Sequence, residues 1–212
     1  MSDAGALRRR LLAGVAVISA LGLAVELVHA RSHHPVIEEL LPRLSLSYEH
    51  NVPTWFASSL LLVCALAAGA IARGAAVRRR HWWAVTAVFA YASLDEATEL
   101  HEHLGGRLDT GGVLYFDWVI PAVVILAVLA AAFWPFVRAL PAVTRRRLVI
   151  AGALYLGGAV GMELPLGWWV ERAGSDSLGY GLIDWVEETL ELVGASLALV
   201  ALACHPREAP PP

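Results

Sequence analysis

Apolar residues in this chain gather into six long runs set apart by short polar stretches: Leu11–Ala30, Thr54–Arg73, Trp82–Leu104, Val113–Val137, Leu148–Val170 and Gly181–Cys204. Each comes close to the roughly 20 mostly apolar residues that an α-helix needs to cross a bilayer. The pattern predicts an all-α, polytopic membrane protein, with six transmembrane helices in one bundle forming a single domain over residues 1–207. The Pro-rich end, Glu208–Pro212, is expected to be a disordered tail. Arg8, Arg9 and Arg10, the apolar run after them and Val28-His29-Ala30 have the outline of a secretory signal with a cleavage site. That run is long enough to span, so it is expected to stay as the first helix.

Composition points the same way. Of 212 residues, 58% are hydrophobic and 17% charged, and mean hydropathy is +0.59. A soluble domain carries about 45–50% apolar and about 25% charged residues. A disordered chain, a collagen and a disulfide-stapled secreted module are excluded by the same figures. Cys64 and Cys204 sit in or at the end of apolar runs, which argues against a disulfide or thiol chemistry.

The net charge of -3 matters less than where the charges fall. There is no lysine. Of 16 arginines, 12 lie at the termini or in the even-numbered loops (Arg8, Arg9, Arg10, Arg73, Arg78, Arg79, Arg80, Arg138, Arg145, Arg146, Arg147, Arg207), against Arg31, Arg43, Arg107 and Arg172 in the odd-numbered ones. Arginine-rich short loops stay in the cytoplasm, so both termini are expected there. Tryptophans near most span ends fit interfacial anchors. The expected location is the bacterial inner membrane, with membrane lipids as neighbours, no nucleic-acid partner, and the working side facing the periplasm or exterior.

On this topology 17 of 19 acids fall on the outer side, all but Asp3 and Glu208. Eleven of them lie inside spans: Glu26, Asp95, Glu96, Glu99, Glu102, Asp117, Glu163, Asp184, Glu187, Glu188 and Glu191. Neighbouring helices run in opposite directions, and at about 1.5 Å per residue these acids nonetheless lie within two or three turns of the outer surface. On a helical wheel Asp95, Glu99 and Glu102 share one arc of about 100°, with Glu96 and His103 on its flank. His101 falls some 120° from Asp95 and joins them only where the helix is distorted. Asp184, Glu187, Glu188 and Glu191 share a second arc, and Gly194, Ala195 and Ala198 beyond them permit close helix packing. Pro165 predicts a kink beside Glu163.

No arginine lies deep in a span, so these carboxyls lack a basic partner. An ionised carboxylate in hydrocarbon is costly unless paired, hydrated or metal-bound. Three arrangements remain: protonated groups, a water-filled pocket, or a cation site. Carboxylates with imidazole suit iron, manganese or zinc. Dimetal bundles use Glu and Glu-x-x-His from several helices; Glu26 to His29 has that spacing, and Glu99–Glu102 and Glu188–Glu191 repeat it with two acids. The bland alternatives are an interfacial His29, solvated His33 and His34, and a solvated Asp117, Asp184 and Glu187. The sequence has no HExxH, GxSxG or phosphate-cradling loop.

Three segments, LDEATELHE (Leu94–Glu102), EHNVPTW (Glu49–Trp55) and EETLELVG (Glu187–Gly194), resemble motifs of a group of uncharacterised bacterial multi-spanning membrane proteins. The resemblance singles out Asp95, Glu96, His101, Glu102, Glu187, Glu188 and Glu191 and implies no particular activity. The expected metal ligands are therefore Asp95, His101, Glu102, Glu163, Glu188 and Glu191, followed by Glu26, His29, Glu96, His103 and Glu187. Glu99 is the expected general base if the protein is an enzyme. Such an enzyme would be an oxidoreductase or hydrolase acting on a lipid or other hydrophobic small molecule. Two other readings stand beside it: a cation- or proton-coupled transporter, and a scaffold or sensor whose outer loop Arg31–Pro53 docks a partner, with Pro35–Leu46 as a short interfacial helix.

Overall fold

The computed structural model describes residues 3–206 apart from 102, 104, 106, 107 and 109. Glu102, Arg107, Arg207 and the tail therefore lie outside the described residues. These are helical, with no strand among them. The elements are α1 (Asp3–His29), α2 (Pro35–Leu44), α3 (Val52–Gly74), α4 (Arg79–Thr98), α5 (Val119–Arg138), α6 (Ala142–Leu156), α7 (Glu163–Ala173) and α8 (Leu178–Ala203). A 3-10 turn over Gly112–Leu114 leads toward α5, and a π-helical segment, Gly157–Met162, fuses α6 and α7.

Among the described residues, four helical stretches are long and apolar enough to cross a membrane: Ala4–His29, Val52–Gly74, Val119–Arg138 and the fused Ala142–Ala173. The other two expected spans are the helices that carry most of the acids, α4 and α8. At 26 residues and about 1.5 Å each, α8 is still long enough to cross.

α8 is the central helix, packed against α1, α3, α6 and the π segment. Small residues allow this. A β-carbon on Gly194 would sit 2.6 Å from the Tyr155 backbone nitrogen and 2.9 Å from the Ala151 carbonyl oxygen. One on Gly158 would sit 2.7 Å from the Glu187 carbonyl oxygen. On its other side α8 is tied to α1, where Trp185 Nε1 donates to the Ser19 carbonyl at 2.8 Å and Thr189 Oγ1 donates to Ser19 Oγ at 3.0 Å. α3 and α4 are clasped by Ser58 and Ser93, each hydroxyl donating to the other's carbonyl at 2.8 Å. Such bonds average well under 1 kcal/mol in membrane proteins, so they set register more than stability.

One end of the bundle is a packed apolar plug. Leu61, Cys64, Ala68, Ala72, Trp82, Phe136, Ala151, Ala198, Leu199 and Leu202 are all buried in a single cluster. Cys64 and Cys204 are free thiols.

Three details depart from the expected layout. α4 stops at Thr98 rather than continuing to 104, because Glu99 takes a left-handed conformation (φ 53°) and Asp95 turns its carboxylate back to accept the His101 backbone N–H at 2.9 Å. The break near Pro165 takes the form of the π segment on its N-terminal side: proline supplies no N–H to the preceding turn, and glycines 157, 158 and 161 tolerate the wider winding. α2 is helical, as Pro35–Leu46 suggested, though it ends at Leu44, and it packs on α1 with Leu41 buried.

Candidate functional site

At the end of the bundle opposite the plug lies a cavity of about 560 Å³. Ten carboxyl groups line it: Glu49, Asp95, Glu96, Glu99, Asp117, Glu163, Asp184, Glu187, Glu188 and Glu191. Among the described residues, His101 is the one imidazole on its wall, Tyr115, Tyr155, Tyr180 and Trp118 add polar tips, and neither lysine nor arginine lines it. Four helices and two loops supply these groups, so the acids separated by up to 142 positions in sequence share one enclosure.

Each wall has a local cause. On α4, the break at Glu99 swings His101 back onto its own helix: its Nδ1 lies 3.0 Å from Asp95 Oδ2, and its ring packs on Trp118. Glu99 faces His50, with Nδ1 to Oε1 at 3.1 Å. On the far wall, Glu163 is buried at the junction of the π segment and α7, and Trp118 Nε1 donates to its Oε1 at 3.1 Å. Asp117, before α5, is only 3% exposed and accepts the Leu108 backbone N–H at 2.7 Å. Of the solvated or ligand alternatives for Asp117, the structure therefore removes the solvated one.

α8 contributes the floor. Glu187 and Glu191 are buried, Tyr155 reaches Glu191, and Glu187 Oε2 is buried without a hydrogen-bond partner. Glu96, Glu188 and Glu191 are close enough to feel one another's charge. Gly158 makes room here, since a β-carbon would lie 2.8 Å from Glu191 Cγ.

Glu49 and Ser47 come from the loop before α3 and were not among the expected site residues. Asn51 shapes that loop: its side chain caps α3 by accepting the Thr54 N–H at 3.0 Å and donates to the Ser45 and Tyr48 carbonyls at 2.8 and 2.6 Å. Thr54 Oγ1 then donates to Glu49 Oε2 at 3.1 Å. The EHNVPT motif carried this signal, as an Asn N-cap followed by proline beside an acid.

The remaining expected residues sit elsewhere. Glu26 is not among the residues that line the cavity; it accepts a hydrogen bond from Ser45 Oγ and abuts Gly181. His29 parts from Glu26 and meets Glu38, with Nε2 to Oε1 at 3.3 Å. His103 is exposed, with Nδ1 3.1 Å from the Glu99 carbonyl oxygen. His33 is exposed but sits 2.9 Å from Glu38 Oε1, and His34 caps α2 by accepting the Val36 N–H. Among the described residues, His29, His33 and Glu38 form the one group of three His, Cys or acidic residues whose ligand atoms all lie within 4.8 Å. No three of the described cavity residues meet that spacing.

A family model described as a domain of unknown function (DUF8692) matches residues 10–205. No curated protein and no solved structure matches the chain.

Proposed function

The chain belongs to the DUF8692 family, and we propose that it is a six-span inner-membrane protein with both termini in the cytoplasm, holding one or two metal ions in the acid-lined cavity near the outer face. The observation that carries this reading is the cavity itself: among the described residues, ten carboxyls and one histidine line it, with no lysine or arginine. Carboxyls gathered out of bulk water are protonated, hydrated or neutralised by a cation. A divalent ion provides that neutralisation and draws together oxygens that otherwise repel. The buried, unpartnered Oε2 of Glu187 marks a place where such a ligand is wanting.

Asp95, His101, Glu163, Glu188 and Glu191 are the proposed ligands, with Glu96 and Glu187 beside them; Glu102 belongs to the same proposal. This oxygen-rich set with one imidazole suits manganese or iron, and zinc less well. Bound metal would supply Lewis acidity toward water or dioxygen. Were the protein an enzyme, Glu99, which lines the cavity and pairs with His50, would take a proton from a hydrophobic substrate arriving from the bilayer. The apolar plug beneath the cavity favours a binding or catalytic site over a path through the membrane.

Chelator-stripped protein in detergent, titrated with Mn²⁺, tests this. The paramagnetic signal of free Mn²⁺ is expected to be quenched over the first one or two equivalents, and to stay unquenched in Glu191→Gln. A wild-type titration with no quenched phase would sink the proposal.

A further inference from the structure

Outside the cavity, where α1 ends and α2 begins, three side chains point at one another: His29, His33 and Glu38. Glu38 Oε1 lies 3.3 Å from His29 Nε2 and 2.9 Å from His33 Nδ1, and the two imidazole rings stand at right angles with centroids 5.0 Å apart. We infer that these three residues form a second metal site, on the protein surface, for a zinc-like divalent ion with an open coordination position.

Geometry and chemistry both favour this. Zinc bonds to imidazole nitrogen and carboxylate oxygen at about 2.0–2.2 Å, which places neighbouring ligands of a tetrahedral ion about 3.3 Å apart. Of the two measured separations, 3.3 Å matches that edge and 2.9 Å falls short of it, and the third pair is within 4.8 Å. His33 sits in the short connection between the helices, its side chain is 78% exposed, and its contact with Glu38 already holds it beside the other two ligands. Two imidazoles and one carboxylate with a vacant position are the ligand set of zinc and of facial-triad iron. The cavity offers one imidazole among many oxygens, so the two sites differ in the metal they prefer.

The site also has a structural consequence. A metal here fastens α2 across the end of α1. α2 leads directly into Ser45, which donates to Glu26, and into the Asn51-held loop that carries Ser47 and Glu49 to the cavity. The surface ion would hold the loop that forms one rim of the acid site.

The test is zinc competition against a chromophoric chelator, run on the full chain in detergent, with Glu191→Gln as the parent so that the cavity's own ligands are impaired. This parent is expected to retain one tight equivalent of zinc. Adding His33→Ala or Glu38→Gln is expected to weaken that equivalent at least 30-fold while leaving the thermal midpoint of the zinc-free protein unchanged. X-ray absorption at the zinc edge of the parent is expected to show two imidazoles. Superimposable competition curves with and without His33→Ala would overturn the site, as would a zinc spectrum with no imidazole. Failure here leaves the Mn²⁺ titration of the cavity untouched, so the two sites stand or fall separately.

Discussion

Gly194→Val is expected to lower the thermal midpoint of the detergent-solubilised protein by roughly 10 °C, and Gly194→Ala by a smaller but clear amount. The β-carbon would sit 2.6 Å from the Tyr155 nitrogen, 2.8 Å from Tyr155 Cβ and 2.9 Å from the Ala151 carbonyl oxygen. Two of those atoms are backbone, so relief requires α6 to move away from α8. Overpacking of this kind costs about 1–3 kcal/mol and sometimes more, and about 1 kcal/mol corresponds to roughly 2–4 °C for a chain of this size. Tyr155 sits on the α6 face that the change displaces, and its contact with Glu191 would go with it. A midpoint unchanged within about 2 °C would mean that α6 and α8 are not packed as described.

The second large effect is a crossing of stabilities at Glu188. Without metal, Glu188→Gln removes one of several mutually repelling carboxylates, so the variant is expected to be as stable as wild type or more so. With metal at about a hundred times its dissociation constant, wild type gains about 2.7 kcal/mol, since ligand bound to the native state alone stabilises it by mass action. The variant gains little at the same concentration. Differential scanning of both proteins, with and without Mn²⁺, reads this as curves that change order. Parallel shifts in the two proteins would remove Glu188 from the ligand set.

Some of this architecture was legible in the apolar runs and some was not. Each run falls largely within a helix, because long apolar stretches between polar ends favour helix, but the ends of α1, α4, α5 and α6 differ from the runs by six to eight residues. The gathering of the acids at one end followed from the alternating direction of the helices. Gly194 was legible too, as a small residue on the packed face of α8.

His101 was not readable from periodicity. A regular helix puts it about 120° from Asp95, and only the left-handed turn at Glu99 brings its ring within 3.0 Å of that carboxylate. Left-handed conformation at a glutamate is a local exception that spacing does not forecast. Glu49 lies in an aperiodic loop, and its place at the cavity depends on Asn51 reaching the Ser45 and Tyr48 carbonyls. The Glu26-to-His29 spacing misled for the opposite reason. It does bring two side chains to nearby angles, but Ser45 takes one and Glu38 the other. Helical spacing says which residues are neighbours on a surface, whereas the partner across from them is a tertiary matter.

The same distinction applies at the outer loop, where His33 reads as a solvated residue and is exposed, yet its ring is held by Glu38. That hydrogen bond, with the nearby imidazoles, keeps the Glu38 carboxyl below its ordinary pKa.

The central claim is that the acid cavity holds metal. Its most direct test is a metal inventory by mass spectrometry on protein purified without chelator or added metal, with Glu188→Gln prepared in parallel. One or two equivalents of iron, manganese or zinc in the wild type, reduced by at least one equivalent in the variant, is the predicted result. A well-folded wild type with no metal, or a metal content identical in the two proteins, would contradict it.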